Sequence, residues 1–247
     1  VLADAVVGGS FHLGLATDGD ADRIGAIDAR GSFVDPHRIF TLALQHLVEV
    51  RNWRGSVVKT VSTTQHIDRL CARYGLVLHE TPVGSNHIAE RMASEDVLIG
   101  GEESGQFCVR GHVPVGDGLL MGLLLLEILA VRGRPLHELV EAQMRELGRV
   151  CYAREDRHLA GFDRAALVAR LAERVPERLA GLPVRGIDTI DGVRYRLGDD
   201  AWLLIRPSGT EPLLRIYAEA RHQAAVDALI EAGLALASAV AGVPVGR

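Results

Sequence analysis

SVVKTVSTTQHIDRLCARYGLVLHETPVGSNHIAERMASEDVLIGG, residues 56–101, alternates short apolar runs with segments of helical spacing. SVVKTVS reads as a strand, TTQHIDRLCARYG as a helix closing on Gly75, LVLHETP as a strand, GSNHIAERMAS as a helix and DVLIGG as a strand. Strands separated by helices need crossover connections, so the sheet is expected to be largely parallel with helices on its faces. Toward the N-terminus, apolar spacing turns helical from Asp35-Pro36 to Arg51, with Asp35 as a plausible N-cap and Pro36 at the first helical position. Before that, HLGLAT (12–17) and RIGAIDARG (23–31) read as two strands around an acidic loop, and VLADAVVGG as the tail of a helix. Toward the C-terminus, two helices at 117–131 and 135–148 finish an α/β domain near residue 150. The remainder has another character: strand YAREDR, a helix over 163–174, and IDTIDGVRYRL, whose Asp191-Gly192 between alternating segments signals a hairpin. Strands AWLLIRP and LLRIYAEA and an Ala-rich helix from Gln223 to Ala241 complete a small α+β domain.

Composition bounds the function. The 247 residues are 48% hydrophobic and 24% charged, ordinary for a globular chain, with a formal net charge of -5. Basic residues are dispersed, so neither nucleic acid nor an anionic membrane is expected as a partner. Cys71, Cys108 and Cys151 are odd in number and far apart, which argues against a disulfide framework or zinc knuckle and for a reducing cytoplasm. The longest apolar stretch, LLMGLLLLEILAV at 119–131, is interrupted by Glu127, falls short of the ~20 residues of a membrane span, and reads as a buried helix. No initiator Met or signal segment opens the sequence, and the first strands lack partners, so chain is expected upstream.

Three motifs could carry chemistry. In ATDGDADRIGAID (16–28), Asp18, Asp20 and Asp22 lie two residues apart, so a nearly extended chain could turn all three carboxylates to one hard cation, Mg2+ or Ca2+. An EF-hand fails because its sixth and twelfth positions hold Arg23 and Ala29. A dehalogenase-type nucleophile at Asp18 remains the alternative, and a solvated acidic turn the bland one. Arg23 is either a salt-bridge partner or a guanidinium aimed at a phosphoryl group. GGEESGQ (100–106) follows a strand at the sheet edge where α/β folds bind ligands. There Glu102 and Ser104 suit vicinal sugar hydroxyls, although a Gly-rich turn explains them as well. In RPSGTEPLLR (206–215), Ser208, Gly209 and Thr210 offer hydroxyls and open backbone N–H groups, and Arg206 and Arg215 offer forked donors for a phosphate dianion. Lys59, Thr63 and Thr64 could approach a pocket or face solvent.

Taken in order and spacing, TDGDADR, GGEESG and RPSGTEPLLRIY resemble the metal, sugar-specificity and phosphate-binding loops of the α-D-phosphohexomutase family. The resemblance implies that residues 1–31 end a second α/β domain and carry the metal loop. It makes 33–150 a complete three-layer α/β domain with a mixed sheet, and 152–247 a TATA-binding-protein-like α+β domain. The N-terminal part with the family's phosphorylatable serine is expected to be missing, leaving this chain catalytically incomplete. The implied activity interconverts hexose 1-phosphate and hexose 6-phosphate, glucose or mannose, through a phosphoserine and a hexose 1,6-bisphosphate intermediate with Mg2+ as cofactor. Carried over residue by residue, Asp18, Asp20 and Asp22 are metal ligands and Arg23 a neighbour of the phosphoserine. Glu102 and Ser104 contact sugar hydroxyls, Arg206, Ser208, Gly209 and Thr210 clamp the non-reacting phosphate, and Arg215 is a weaker carry-over. Asn86 and Gly116 stand where family members commonly place basic residues. A non-catalytic sugar-phosphate-binding fragment is the competing reading.

Overall fold

The computed structural model describes residues 1–158, 163–209 and 211–241, and the chain divides into two compact units, Val1–Leu147 and Gly148–Arg247. The first unit runs α1 (Leu2–Gly8), β1 (Leu13–Thr17), β2 (Ile24–Asp28), β3 (Phe33–Val34), α2 (Pro36–Glu49), β4 (Ser56–Thr60) and α3 (His66–Tyr74). It continues with β5 (Leu78–Thr81), α4 (Ser85–Ser94), β6 (Val97–Gly101), β7 (Phe107–Val109), α5 (Gly118–Arg132) and α6 (Leu136–Leu147). Strands β1-β2-β3 form an antiparallel sheet in which Leu13 faces Asp28 and Thr17 faces Ile24. The second sheet has the order β5-β4-β6-β7. Its first three strands are parallel, as the sequence alternation predicts, while the short β7 folds back antiparallel on β6 and makes the sheet mixed.

Local chemistry sets the boundaries. Asp35 caps α2 by accepting from the Arg38 N–H at 3.0 Å, with Pro36 just inside. Asp117 caps α5 through the Leu120 N–H at 2.9 Å, and Gly75 ends α3 in the left-handed region at φ 65°. The core joins Ile39, Phe40, Leu44 and Leu47 of α2 to Val57, Leu98 and Ile99 of the mixed sheet and to Leu125 and Ile128 of α5. Phe40 and Phe107 meet at a ring-centroid distance of 5.5 Å. At the edge of this core the buried His46 Nε2 lies 2.9 Å from Glu127 Oε1, and Arg51 grips both oxygens of Glu127.

Helix α5 corrects one expectation. It is buried along Gly118, Met121, Gly122, Leu124, Leu125 and Ile128, while Leu119, Leu123 and Leu126 face solvent. An all-apolar stretch carries no periodicity from which to read its exposed side.

The second unit runs β8 (Cys151–His158), α7 (Arg164–Glu173), β9 (Arg178–Leu179), β10 (Leu182–Asp188), β11 (Val193–Leu197), β12 (Trp202–Pro207), β13 (Leu213–Ala220) and α8 (Gln223–Ala241). Its six strands form one antiparallel sheet in the order β8-β13-β12-β11-β10-β9. α8 packs on β8, β12 and β13, and α7 packs on α8. By length and composition α8 could cross a membrane, which the sequence reading did not single out, but Val226, Leu229, Ile230, Gly233, Ala237 and Val240 form the stripe that it buries. The expected hairpin is present: Asp188 pairs with Arg194, and Asp191-Gly192 lies in the connection.

Candidate functional site

The acidic loop leaves β1 and turns at once, the Ala21 N–H donating to Asp18 O at 3.2 Å with Ala21 in the left-handed region at φ 58°. Arg23 closes the loop on itself. Its backbone N–H reaches Asp18 Oδ1 at 3.3 Å, its Nε donates to Asp18 Oδ2 at 2.7 Å, and a terminal guanidinium nitrogen stands 2.6 Å from the same oxygen. Partial desolvation works against the charge on Asp18, but the Arg23 hydrogen bonds prevail and hold its carboxyl below the usual range. Asp22 goes the other way: burial first, then the neighbouring Asp18 charge, push its carboxyl up. One of its oxygens, Oδ2, accepts from Gln106 Nε2 at 2.8 Å; the other, Oδ1, is buried without a hydrogen bond, 3.7 Å from Arg23 Nε.

The expected convergence of three carboxylates is realised only in part. Asp18 and Asp22 come within hydrogen-bonding reach of each other, whereas Asp20 is exposed and acts on Asp22 through its charge. Among the described residues no three His, Cys, Asp or Glu side chains are gathered as a ready metal cluster. Mutual repulsion spreads the loop, and Arg23 takes up the oxygens of Asp18.

The second motif lies directly beside the first. Arg23 and Gln106 form an antiparallel bridge, and the Ile24 N–H donates to Gly105 O at 3.0 Å. Gly105 has a φ of 95°, and a Cβ on it would stand 2.7 Å from Ile24 O, so only glycine allows this approach. Glu102 is buried, and its Oε1 accepts from the Gly84 N–H at 2.7 Å, the N-cap of α4, where the positive end of the helix stabilises a carboxylate. The exposed Ser104 places its Oγ 3.5 Å from Glu102 Oε2, leaving the pair open to a hydroxyl-bearing ligand. Asn86 is exposed in the first turn of α4. At Gly116 a Cβ would overlap Gln106 Cγ and stand 2.7 Å from Asp22 O, so a basic side chain cannot be added there without moving both.

Lys59 is no surface group. It is buried, paired with Asp68 and 3.5 Å from Glu80, and Thr63 and Thr64 are buried beside it, with Thr60 Oγ1 and Thr63 Oγ1 3.0 Å apart. Its strand is enclosed on both faces, so the charge is neutralised internally.

In the second unit Arg206 and Arg215 stand directly opposite on β12 and β13. Like charges at such positions repel unless acids offset them. Arg206 Nε donates to Asp191 Oδ2 at 2.6 Å, while Arg215 pairs with Glu211 and lies 3.5 Å from Asp156 Oδ2. Arg206 is 8% exposed, yet its Nη1 has no hydrogen-bond partner. Ser208 is buried and accepts from the Glu211 N–H at 3.3 Å, and Gly209 is exposed at the turn. Thr210 lies outside the described residues. Arg164, at the start of α7, holds the turn through the carbonyls of Gly209 and Glu211. Gln106, Asp191 and Arg164 were not recognised from sequence as partners of these motifs; only the Asp-Gly pair at 191–192 left a trace, and it read as a turn.

Comparison with known proteins follows the same division. The family model for phosphoglucomutase/phosphomannomutase α/β/α domain III matches residues 35–147, and the model for the C-terminal domain matches 163–235. A phosphoglucomutase/phosphomannomutase of Thermococcus kodakarensis is 34% identical over 91% of this chain and 46% of its own length. A phosphoglucosamine mutase of Carboxydothermus hydrogenoformans is 34% identical over 88% of this chain and 45% of its own. A Thermus thermophilus structure, solved as a candidate phosphomannomutase, superposes with a TM-score of 0.77 at 34% identity over 95% of this chain and 48% of that one. The chain thus spans about half the length of the curated relatives it matches. Two domain models in the right order, one in each compact unit, and relatives a third identical along most of the sequence agree with the three loops: the chain belongs to the α-D-phosphohexomutase family.

Proposed function

We propose that this chain is the part of a phosphohexomutase that holds the divalent cation, reads the sugar and grips its distal phosphate, in an interconversion of hexose 1-phosphate and hexose 6-phosphate. The observation that supports the reading is the Arg23–Gln106 bridge, which bonds the acidic loop laterally to the Glu102 loop. Mg2+ suits the donors: hard carboxylate oxygens of Asp18 and Asp22, one of them buried without a hydrogen bond, with Asp20 adding to the same field. When bound, the cation would neutralise charge on a phosphoryl group. Arg23, freed from Asp18, is placed to balance that phosphoryl group from the side. Glu102 and Ser104 receive sugar hydroxyls, and Arg206 with Ser208, Gly209 and Thr210 holds the second phosphate.

The wider reading has the division 1–31, 33–150 and 152–247, a serine-bearing N-terminal part as partner, a hexose 1,6-bisphosphate intermediate and a cytoplasmic setting. Relatives named for glucose, mannose and glucosamine phosphates keep all three sugars in play. Asp18 as a dehalogenase-type nucleophile is disfavoured because Arg23 engages both of its oxygens.

Titration calorimetry with glucose, mannose and glucosamine 6-phosphates tests the reading. Binding that is lost in Arg206→Gln and weakened in Glu102→Gln is expected, and added serine-bearing N-terminal half should restore conversion of glucose 1-phosphate to glucose 6-phosphate. Absence of binding by all three sugars would overturn it.

A further inference from the structure

The acidic loop is shaped by a segment remote in sequence. Gln106 holds it in two ways: its backbone bridges to Arg23, and its side-chain amide donates to Asp22 Oδ2 at 2.8 Å. The same residue's carbonyl accepts from the Glu102 N–H at 3.0 Å, so Gln106 is bonded to the sugar-facing loop and to the acidic loop at once. The space for this is made by glycines. A Cβ on Gly116 would overlap Gln106 Cγ, and one on Gly118 would stand 2.5 Å from Arg23 O. The Gly118 N–H donates to Ala21 O at 2.8 Å, which fixes the other side of the loop.

We propose that Gln106 is a positioning residue: it orients Asp22 for a divalent cation and links cation affinity to occupancy of the Glu102–Ser104 loop. This rests on the cation reading given above. A neutral amide is the right kind of partner, because it stops the carboxylate from rotating without cancelling its charge. With Oδ2 engaged, Oδ1 is left buried without a hydrogen bond, 3.7 Å from Arg23 Nε, as an acceptor for a hard cation once Arg23 turns to a phosphoryl group. The glycine at 116 acquires a reason. A basic side chain there would displace Gln106 and bring a competing positive charge to the cation's neighbourhood. A sugar hydroxyl held by the Glu102 carboxylate bears on the loop whose backbone closes on Gln106, and by linkage a cation that orders Asp22 then alters sugar affinity by the same factor.

The test is calorimetric titration of the chain with MgCl2, with and without saturating glucose 6-phosphate, on wild type, Asp22→Asn, Gln106→Met and Gln106→Ala. Gln106→Met keeps the side-chain volume and loses only the donor. Loss of an outer-shell partner weakens metal affinity by about 10–100-fold, so both Gln106 variants should bind Mg2+ at least about tenfold more weakly. Their melting temperatures should match wild type, and the glucose 6-phosphate-induced change in Mg2+ affinity should vanish. The proposal is overturned if Asp22→Asn abolishes binding while Gln106→Met stays within twofold of wild type, or if Gln106→Met retains the full sugar-induced change. If Asp22→Asn binds as well as wild type, it is the cation reading itself that fails.

Discussion

Removing the carboxylate of Asp191 should destabilise the second unit by about 2–3 kcal/mol, because it strands a guanidinium inside the protein. The Arg206 side chain is 9% exposed and that of Asp191 22%, with 2.6 Å between Nε and Oδ2. Breaking a fully buried ion pair from one side costs about 3–5 kcal/mol. Water entering at the more open Asp191 position lowers the figure, while the loss of an offset to the facing Arg215 raises it. Asp191→Asn keeps an acceptor and loses only the charge, so about 1 kcal/mol is expected. Urea unfolding would be followed in a Trp53→Phe background, where the buried Trp202 is the remaining tryptophan of the two in the chain. At an m-value of about 1–2 kcal/mol/M, Asp191→Ala should lower the midpoint by about 1–3 M and Asp191→Asn by about 0.5–1 M. A double-mutant cycle with Arg206→Met isolates the pair. The reasoning is refuted if Asp191→Ala moves the midpoint no further than Asp191→Asn, or if the cycle shows no coupling.

The Glu127 carboxyl is pulled down to about 2, by Arg51 first and His46 second. A depressed folded-state value contributes stability above the unfolded value near 4.5, and this is lost as pH falls from there toward 2. The side chain is about one third exposed (34%), so screening reduces the contribution to about 1 kcal/mol. Glu127→Gln should therefore flatten stability between those pH values; an unchanged acid profile would contradict the assignment. Burial, with the Asp68 charge assisting, pushes the Cys71 thiol up to about 12, and burial with Glu102 pushes Cys108 up to about 11. A thiol-specific disulfide reagent should then label the half-buried Cys151 well before either, and equal rates would show that the core opens.

Much of the fold was legible because local and long-range preferences agree in it. Asp35-Pro36 announces a helix start, Gly75 a helix end, and the run of β4 is apolar because both faces are covered. β7 escaped notice: three residues are too few to show a period, and its direction is set by the tight Glu102–Gln106 turn. Lys59 was ambiguous because its neutralising partners, Asp68 and Glu80, come from α3 and from the pairing of β5. The chemistry of the acidic loop was readable from three alternating aspartates, yet their spacing could not show that Arg23 would occupy Asp18 or that Gln106 would select one oxygen of Asp22. The second of these pairings joins residues 84 apart in the chain.

Two cationic forks set face to face on neighbouring strands form a spring held shut by acids, and a doubly charged oxyanion would relax it. The module that carries them should therefore gain heat resistance in sulfate or phosphate beyond what chloride of equal ionic strength provides. Its folding and its cargo would answer to the same electrostatic load.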